Sequence, residues 1–254
     1  MTAGVPASDP APRVLVVEHE HTVPVGLLGE RLAAAGCRVE TVGPDIGRPV
    51  PREPDGYDGV VVLGGSMGPT DDDVAPWLPD VRALIEACLA AGTPLLAICL
   101  GAELLAHVAG GRVAPIAAGA EIGLTPIRLL PAAAADPLLA GVPALAAAVQ
   151  WHSLEAQTLP ADALVLATSD RCANQAFRLG DAAWGVQWHP EVLADITAGW
   201  ARTEQAELAA QGLDGAAVVG AVRDAEPRLR ATWTVLADNW ISVLRRSVRS
   251  GAAA

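Results

Sequence analysis

A cysteine stands where its thiol can act as a nucleophile. The apolar run at residues 94–98 is typical of a buried strand, and Cys99 follows it directly, with Gly101 and a helical pattern after it. A tight turn from a strand into a helix is a nucleophile elbow, which exposes its side chain at the carboxyl edge of the sheet. The dipole and free N–H groups of the helix are expected to lower the pKa of the thiol. The alternative interpretation of Cys99 is a buried core cysteine.

A histidine and a glutamate follow a second strand-like segment, at residues 184–188. His189 comes directly after this segment and Glu191 stands two positions later, so alternation at a strand end can bring both to one edge of the sheet. His189 can then accept the Cys99 proton while Glu191 fixes the imidazole tautomer, which is the logic of a catalytic triad. The alternative is a surface histidine beside Pro190, with Glu191 in the first turn of a helix.

A glycine-rich loop, residues 64–68, follows the apolar run at 60–63. Glycines allow the backbone N–H groups of such a loop to approach a ligand, and with the N–H of Leu100 they can form an oxyanion hole. The loop lacks the lysine of a Walker motif and the spacing of a dinucleotide-binding motif. A phosphate-binding role is therefore not predicted.

The elements that must position these residues alternate along the first half of the chain. Apolar runs at 14–17, 60–63 and 94–98 and the alternating segment 38–42 predict strands, and residues between them recur at helical spacing. Solid apolar strands that alternate with helices predict an α/β fold. We expect a mostly parallel central sheet flanked by helices on both faces, a flavodoxin-like three-layer sandwich.

The second half is strand-rich and then helical. Short strands are predicted at residues 122–130, 149–151, 164–169, 174–178 and 184–188. A C-terminal helix carries an apolar stripe at 3-to-4-residue spacing, which must pack on its own domain or on a partner: Leu229, Trp233, Leu236, Trp240 and Leu244. We expect a flexible leader at 1–12, one domain at 13–205 and a C-terminal helical extension at 206–254.

Composition excludes several classes of function. The 254 residues are 52% hydrophobic with a net charge of −12, which favours a folded protein and argues against a nucleic-acid binder or a polybasic membrane-surface protein. All 17 positive side chains are arginines, so no lysine can form a Schiff base. The four cysteines have no metal-ligand spacing, so neither a metal nor a cofactor is predicted. No apolar stretch is long enough to span a membrane and no signal sequence is recognised, so we expect a cytoplasmic protein.

Together these motifs resemble the class I (triad) glutamine amidotransferases, and in particular a stand-alone domain similar to the amidotransferase half of GMP synthetase. The resemblance covers about residues 13–200 and includes the segments 150–152 and 172–178. It implies that Cys99 attacks a γ-glutamyl amide and that His189 is base and then acid, oriented by Glu191. It also implies that the N–H groups of Gly65 and Leu100 form the oxyanion hole. The substrate-binding candidates are Gly64, Ser66, Met67, Glu103, Trp151, His152 and Ser153.

Two positions depart from the pattern of the family. Glu103 stands four residues after Cys99, where the family usually has a glutamine that helps to bind the substrate. An ionised carboxylate there would repel the carboxylate of glutamine, so Glu103 is protonated, faces a cation, or meets a different substrate; alternatively it is a helix-surface residue. The segment 152–155, His-Ser-Leu-Glu, stands where relatives often have Gly-Asp after the histidine. Substrate choice is the property that both departures affect.

The remaining histidines and tryptophans are given structural interpretations. His19 and His21 follow the first strand, and a place at the rim of the cleft is not favoured for either, while His107 is expected to be partly buried. Trp151 and Trp188 precede histidines and are candidates for walls of the site. The tryptophans in predicted helices are interpreted as packing residues: Trp77, Trp200, Trp233 and Trp240.

The resemblance leads to three hypotheses of function. The first is a glutamine amidotransferase that hydrolyses glutamine through a γ-glutamyl thioester and releases ammonia to a partner synthetase chain. The second is a stand-alone γ-glutamyl hydrolase or peptidase, which acts on a γ-glutamyl amine or a glutathione-type conjugate. The third is a non-catalytic binding subunit that docks a partner through its last helix.

Overall fold

Four parallel strands and three helices alternate along the first half of the chain, in a computed structural model that describes residues 11–251. The strands are β1 (Arg13–Val17), β2 (Arg38–Val42), β3 (Gly59–Val62) and β4 (Leu95–Ile98). The helices are α1 (Gly26–Ala34), α2 (Leu78–Ala91) and α3 (Leu100–Val108). Every residue of β3 and β4 is buried, as expected for strands that are covered on both faces.

The second half adds seven strands and three further α-helices. The strands are β5 (Arg112–Pro115), β6 (Glu121–Leu129), β7 (Leu145–His152), β8 (Leu154–Thr158), β9 (Leu164–Thr168), β10 (Ala176–Leu179) and β11 (Ala183–Val186). A 3-10 helix at Pro131–Ala135 lies between β6 and β7. The helices are α4 (Ala194–Thr203), α5 (Gln205–Ala210) and α6 (Gly215–Gly251).

Nine of these strands form one mixed sheet in the order β2-β1-β3-β4-β11-β10-β9-β6-β7. The five strands from β2 to β11 are parallel neighbours, and the remaining pairs, from β11 to β7, are antiparallel. The carboxyl ends of β3, β4 and β11 therefore meet at one edge of the sheet. This is the edge at which open α/β sheets bind ligands, and it is followed in sequence by the glycine loop, Cys99 and His189.

Two apolar clusters cover the two faces of the sheet. One joins alternate residues of β1, such as Val14 and Val16, to helices α1, α4 and α6. The other joins the opposite residues, such as Leu15 and Val17, to α2 and α3. The α/β prediction with helices on both faces is thus confirmed.

The last helix packs on the sheet. All five residues of the predicted apolar stripe of α6 are at most 1% exposed and belong to the first cluster. Trp233 contacts Trp188 with ring centroids 5.4 Å apart, and Trp240 contacts Trp184 at 6.2 Å. The stripe is therefore part of the core of this chain.

Some predicted boundaries differ from the structure. The pair β5–β8 forms a separate two-stranded sheet that the sequence did not indicate, because its short strands carry polar and exposed residues. Strand β7 begins at Leu145, four residues earlier than predicted. Most of the predicted leader, residues 1–10, and the last three residues of the extension lie outside the described residues. No helix of the described part of the chain is long and apolar enough to cross a membrane.

Candidate active site

Cys99 occupies a strained turn between β4 and α3. Its φ of +53° is the only positive value at a non-glycine position among the described residues, and strain of this kind is concentrated at functional sites. The N–H of Cys99 donates to the carbonyl oxygen of Val186 at 2.8 Å, which attaches the elbow to β11. The predicted strand–elbow–helix geometry is present, and the side chain of Cys99 lies at the carboxyl edge of the sheet.

Two glycines allow the elbow and the loop to approach each other. A Cβ on Gly101 would lie 2.3 Å from the carbonyl oxygen of Val62, so any larger residue would push α3 away from β3. A Cβ on Gly64 would lie 2.9 Å from Cε1 of His189 and 3.3 Å from Cβ of Cys99. The predicted nucleophile and the predicted base therefore both border Gly64.

His189 and Glu191 form a buried pair. Nδ1 of His189 lies 2.7 Å from Oε1 of Glu191, and both side chains are at most 3% exposed. Because a carboxylate accepts a hydrogen bond, this contact places the hydrogen on Nδ1 and leaves Nε2 as the basic nitrogen. The N–H of Leu27 donates to the backbone oxygen of Glu191 at 2.9 Å, and the His189 N–H donates to Val149 at 2.9 Å.

An indole packs against the imidazole. Trp200, on α4, lies 4.9 Å from His189 in an edge-on arrangement and donates from Nε1 to the carbonyl oxygen of Thr22 at 2.7 Å. Trp200 is buried in the core, as its interpretation as a packing residue predicts, and it also lines the cavity. Trp188, in contrast, is fully buried against Trp233 and does not wall the site. Its neighbour Trp151 does line the cavity, as predicted.

The helix that follows Cys99 does not lower the pKa of its thiol below the ordinary value. Burial, followed by the nearby carboxyl groups of Glu103 and Glu191, raises the pKa of Cys99 well above its ordinary value, while the N–H of Leu100 lowers it. The expectation of a lowered thiol pKa was therefore wrong for this state of the protein. The sequence indicated the helix dipole but not the burial of the side chain, which is 5% exposed.

Glu103 faces the same cavity from the first turn of α3. It is 3% exposed, so the helix-surface interpretation was wrong. Its Oε1 accepts a hydrogen bond from Nε2 of Gln187 at 3.0 Å. Burial raises the pKa of Glu103, and the hydrogen bond from Gln187 and the nearby histidines offset only part of this effect. This environment favours the neutral carboxylic acid, which can donate a hydrogen bond.

A second histidine–glutamate pair lies on the antiparallel side of the cavity. Nε2 of His152 is 3.2 Å from Oε2 of Glu121, and Nδ1 of His152 is 2.7 Å from the carbonyl oxygen of Leu154. Glu121 also accepts from the hydroxyl of Ser169 at 2.7 Å and from the amide of Gln175. Both side chains are buried, so this contact and the hydrogen bonds to Glu121 hold the ends of two strands together beside the cavity.

One cavity collects most of the predicted site residues. It is lined by Gly65, Ser66, Met67, Cys99, Glu103, Trp151, His152, Ser153 and His189. Three predicted residues are not part of its lining: Gly64 lies close to both Cys99 and His189, the side chain of Leu100 is buried, and Glu191 contacts His189. Leu100 and Gly65 remain candidates through their backbone N–H groups.

The other histidines lie away from the cavity. His19 is buried and accepts a hydrogen bond from Nε1 of Trp77 at 3.0 Å, and burial lowers the pKa of His19 to about 4. His21 is exposed and contacts Asp45. The expectation that His107 is partly buried was wrong, because it is exposed on α3. The part of the chain that the structure describes contains no group of three or more metal-ligating side chains.

Several residues of the site were missed in the sequence. Glu121 contacts His152 and Gln187 contacts Glu103, and each pair is far apart in the sequence. No local spacing of residues therefore indicated these contacts. Three further glutamates, Glu20, Glu204 and Glu207, line the outer part of the cavity. Glu20 stands between His19 and His21, for which a place at the rim of the cleft was not favoured.

Comparison with known proteins decides the family. The model of the family "Glutamine amidotransferase class-I" matches residues 25–197. The chain belongs to this family. A glutamine amidotransferase-like protein of Salmonella typhimurium, YfeJ, is 33% identical over 171 residues, which cover 65% of this chain and 70% of that protein.

Other relatives of this amidotransferase differ in their named activities. Gamma-glutamyl peptidase 3 of Arabidopsis thaliana is 30% identical over 56% of this chain and 57% of its own length. A glutamine-hydrolysing GMP synthase of Prochlorococcus marinus is 31% identical over 52% of this chain, and the match spans 24% of that synthase. A solved glutamine amidotransferase of Thermotoga maritima has a TM-score of 0.81 and 27% identity, and covers 91% of this chain and 99% of its own.

Proposed function

We propose that this class-I amidotransferase is a cysteine-nucleophile enzyme that hydrolyses γ-glutamyl amides through a γ-glutamyl thioester. One observation carries the proposal. Cys99, in its strained elbow, and the imidazole of the His189–Glu191 pair both lie against the same residue, Gly64. A nucleophile, a base and a group that orients the base are the parts that thiol acyl transfer requires.

In the first half of the proposed reaction, Sγ of Cys99 attacks the γ-carbonyl carbon while its proton passes to Nε2 of His189. The carbonyl oxygen becomes an oxyanion that accepts from the N–H groups of Gly65 and Leu100. When the C–N bond breaks, His189 returns the proton to the nitrogen of the leaving amine, and a thioester remains on Cys99. Glu191 holds the imidazole in the required tautomer and stabilises the imidazolium that forms.

In the second half, water attacks the thioester carbon and loses a proton to His189. The C–S bond breaks, the thiolate recovers the proton, and glutamate leaves. Because burial raises the pKa of the Cys99 thiol, its proton must move as the C–S bond forms in the first half of the reaction, and His189 is proposed to accept it there.

The leaving group distinguishes two candidate functions. Release of ammonia from glutamine to a partner synthetase follows the activity named for the GMP synthases. Hydrolysis of a larger γ-glutamyl conjugate follows the activity named for the Arabidopsis peptidase. Glu103 favours the second candidate, since it stands at the cavity where the family usually has a glutamine that binds the substrate. The second candidate therefore predicts that glutamine itself reacts slowly.

Intact-mass spectrometry with a diazo-ketone analogue of glutamine tests the common chemistry. We expect a single label on the parent protein and on Cys37→Ala, which removes the least buried of the four thiols, and none on Cys99→Ala. In parallel, glutamate release from γ-glutamyl amides is measured without any partner chain. A protein that is neither labelled nor active on any γ-glutamyl amide would be a non-catalytic binding subunit.

A further inference from the structure

The outer part of the active-site cavity is lined by carboxylates. Glu20 accepts from the backbone N–H of Ser66 at 2.9 Å and from its hydroxyl group, which fixes it beside the glycine loop. On another part of the wall, Glu204 accepts from Nε1 of Trp151 at 2.6 Å, and Glu207 stands one turn further along at the exposed end of the cavity. These three glutamates are called the acidic rim.

No positive side chain balances the acidic rim from within the cavity. The chain has 17 arginines and no lysine, and no arginine is among the described residues that line this space. Arg171 donates to the carbonyl oxygen of Ala120 from an exposed position, and Arg202 lines a separate surface depression. The nearest candidate cation, His152, is paired with Glu121. The cavity is therefore negatively charged on its outer side.

Two indoles accompany the carboxylates. Trp151 and Trp200 both line the cavity, with ring centroids 5.4 Å apart and their planes inclined by 58°. Trp200 contacts His189 and Trp151 contacts Glu204, so the aromatic pair connects the proposed base to the acidic rim. Indole faces attract ammonium groups, and carboxylates beside them add charge complementarity.

We infer that the amine released by this enzyme carries a second, positively charged amino group. The inference rests on the proposed γ-glutamyl hydrolysis and specifies its substrate class as γ-glutamyl amides of diamines or polyamines. The scissile carbonyl lies at Cys99, the alkyl chain of the amine follows Trp200 and Trp151, and its terminal ammonium reaches the acidic rim. The amide nitrogen of glutamine carries no alkyl chain and no second amino group that could contact the acidic rim. The inference therefore differs from simple glutaminase activity.

Three substrates that differ only in terminal charge test this inference. They are γ-glutamyl amides of 1,4-diaminobutane, n-pentylamine and 5-aminopentanoate, which end in an ammonium, a methyl and a carboxylate on the same four-carbon spacer. We expect kcat/KM for glutamate release to be at least about tenfold higher for the ammonium than for the methyl compound, and lowest for the carboxylate. The preference should weaken as NaCl is raised, because salt screens exposed charges.

Charge-neutral variants locate the effect. Glu207→Gln changes an exposed residue, and Glu204→Gln keeps an oxygen that can accept from Trp151. Each is expected to reduce the ratio of kcat/KM between the ammonium and methyl substrates by about threefold to fivefold. Asp162→Asn removes one charge from an exposed loop that does not line the cavity and should leave this ratio as in the parent.

The outcomes separate the two proposals. Equal turnover of all three amides would overturn the cationic substrate class and leave γ-glutamyl hydrolysis intact. A preference that persists unchanged in both glutamate variants would also overturn it, since the acidic rim would not be its source. Failure to hydrolyse any of the amides, together with no labelling of Cys99 by the diazo-ketone, would overturn the proposed function as well.

Discussion

Glu103 is the residue at which the charge of the proposed active-site cavity depends on a single proton. Gln187 donates to one of its oxygens, and no arginine lines the cavity beside it among the described residues. A buried carboxyl group without a strong cationic partner is more stable in its neutral form. In that form Glu103 has a donor and an acceptor, as a glutamine amide has, but only while the proton is retained.

Replacing Glu103 by glutamine should change activity and stability together. Glu103→Gln is expected to raise kcat/KM for glutamine, because the variant donates an N–H at every pH. Since the pKa of Glu103 is raised in the folded state, its contribution to the free energy of unfolding is complete below pH 4.5 and is lost as pH rises through the native pKa. The stability advantage of the variant should therefore grow across this window, by about 1.4 kcal/mol for each unit by which the native pKa exceeds the unfolded one.

Urea unfolding at several pH values and glutaminase kinetics measure the two effects. Glu53→Gln, at an exposed position, is the matched control and should show neither. If Glu103→Gln leaves kcat/KM for glutamine unchanged, Glu103 does not determine which substrate is used. A stability difference that is independent of pH would mean that the pKa of Glu103 is the same in the folded and unfolded protein.

At the scale of elements, the site depends on how closely the glycine loop, the elbow and the end of β11 approach one another. Gly64 sits between His189 and Cys99, and Gly101 allows α3 to lie against β3. The pair Glu121–His152 joins the first residue of β6 to the last residue of β7 at their paired ends. Small residues set the distances on the parallel side, and buried polar contacts set them on the antiparallel side.

A methyl group at Gly64 should displace the base. In Gly64→Ala the new Cβ would lie 2.9 Å from the imidazole of His189, so the ring must shift. We expect kcat to fall by about 100-fold, with a loss of about 1–3 kcal/mol in the free energy of unfolding. Gly220→Ala is the control, because its Cβ meets no atom within 4 Å on α6. It should retain activity and gain about 0.5–1 kcal/mol. Full activity of Gly64→Ala would contradict the proposed contact.

Removing the charge of Glu121 should destabilise the antiparallel side of the site. Glu121→Gln leaves His152 with an amide in place of a buried carboxylate, and breaking such a pair costs about 3–5 kcal/mol. The exposed pair Arg128–Asp170 offers a comparison, and Asp170→Asn should change stability by less than about 1 kcal/mol. Equal effects of the two variants in urea unfolding would show that the buried pair has no special role.

At the scale of the whole molecule, α6 is a structural part of the domain. Its 37 residues extend along the face of the sheet, in contact with α1, α4, β6 and β7. Trp233 packs on Trp188, which immediately precedes His189 in the chain. The position of the proposed base thus depends on a helix that begins 26 residues after it.

Truncating Trp233 should therefore lower stability and activity together. Trp233→Ala is expected to cost about 3–5 kcal/mol in the free energy of unfolding and to reduce kcat, since Trp188 loses its support. Leu145→Ala changes a side chain that is 65% exposed and should have an effect within about 0.5 kcal/mol. Normal stability of Trp233→Ala in thermal unfolding would show that α6 does not support the core.

The first half of the fold and the proposed triad could be predicted because their signals are local. Strands β1, β3 and β4 are continuous apolar runs. Cys99 follows β4 directly, and His189 comes three residues after the end of β11. The role of Gln187 could not be predicted, since it contacts Glu103 across 84 positions of sequence. The acidic rim was missed for the same reason, because Glu20 and Glu204 line one cavity only after distant segments have packed together. The burial that raises the pKa of Cys99 is likewise a tertiary effect.

That raised pKa has a consequence for the chemical durability of the protein. Peroxide oxidises thiolates to sulfenic acid far faster than it oxidises thiols. All four cysteines have a raised pKa, mainly through burial. The protein in its resting state should consequently keep the thiol of Cys99, the proposed nucleophile, reduced during exposure to oxidants, because little of it is present as thiolate.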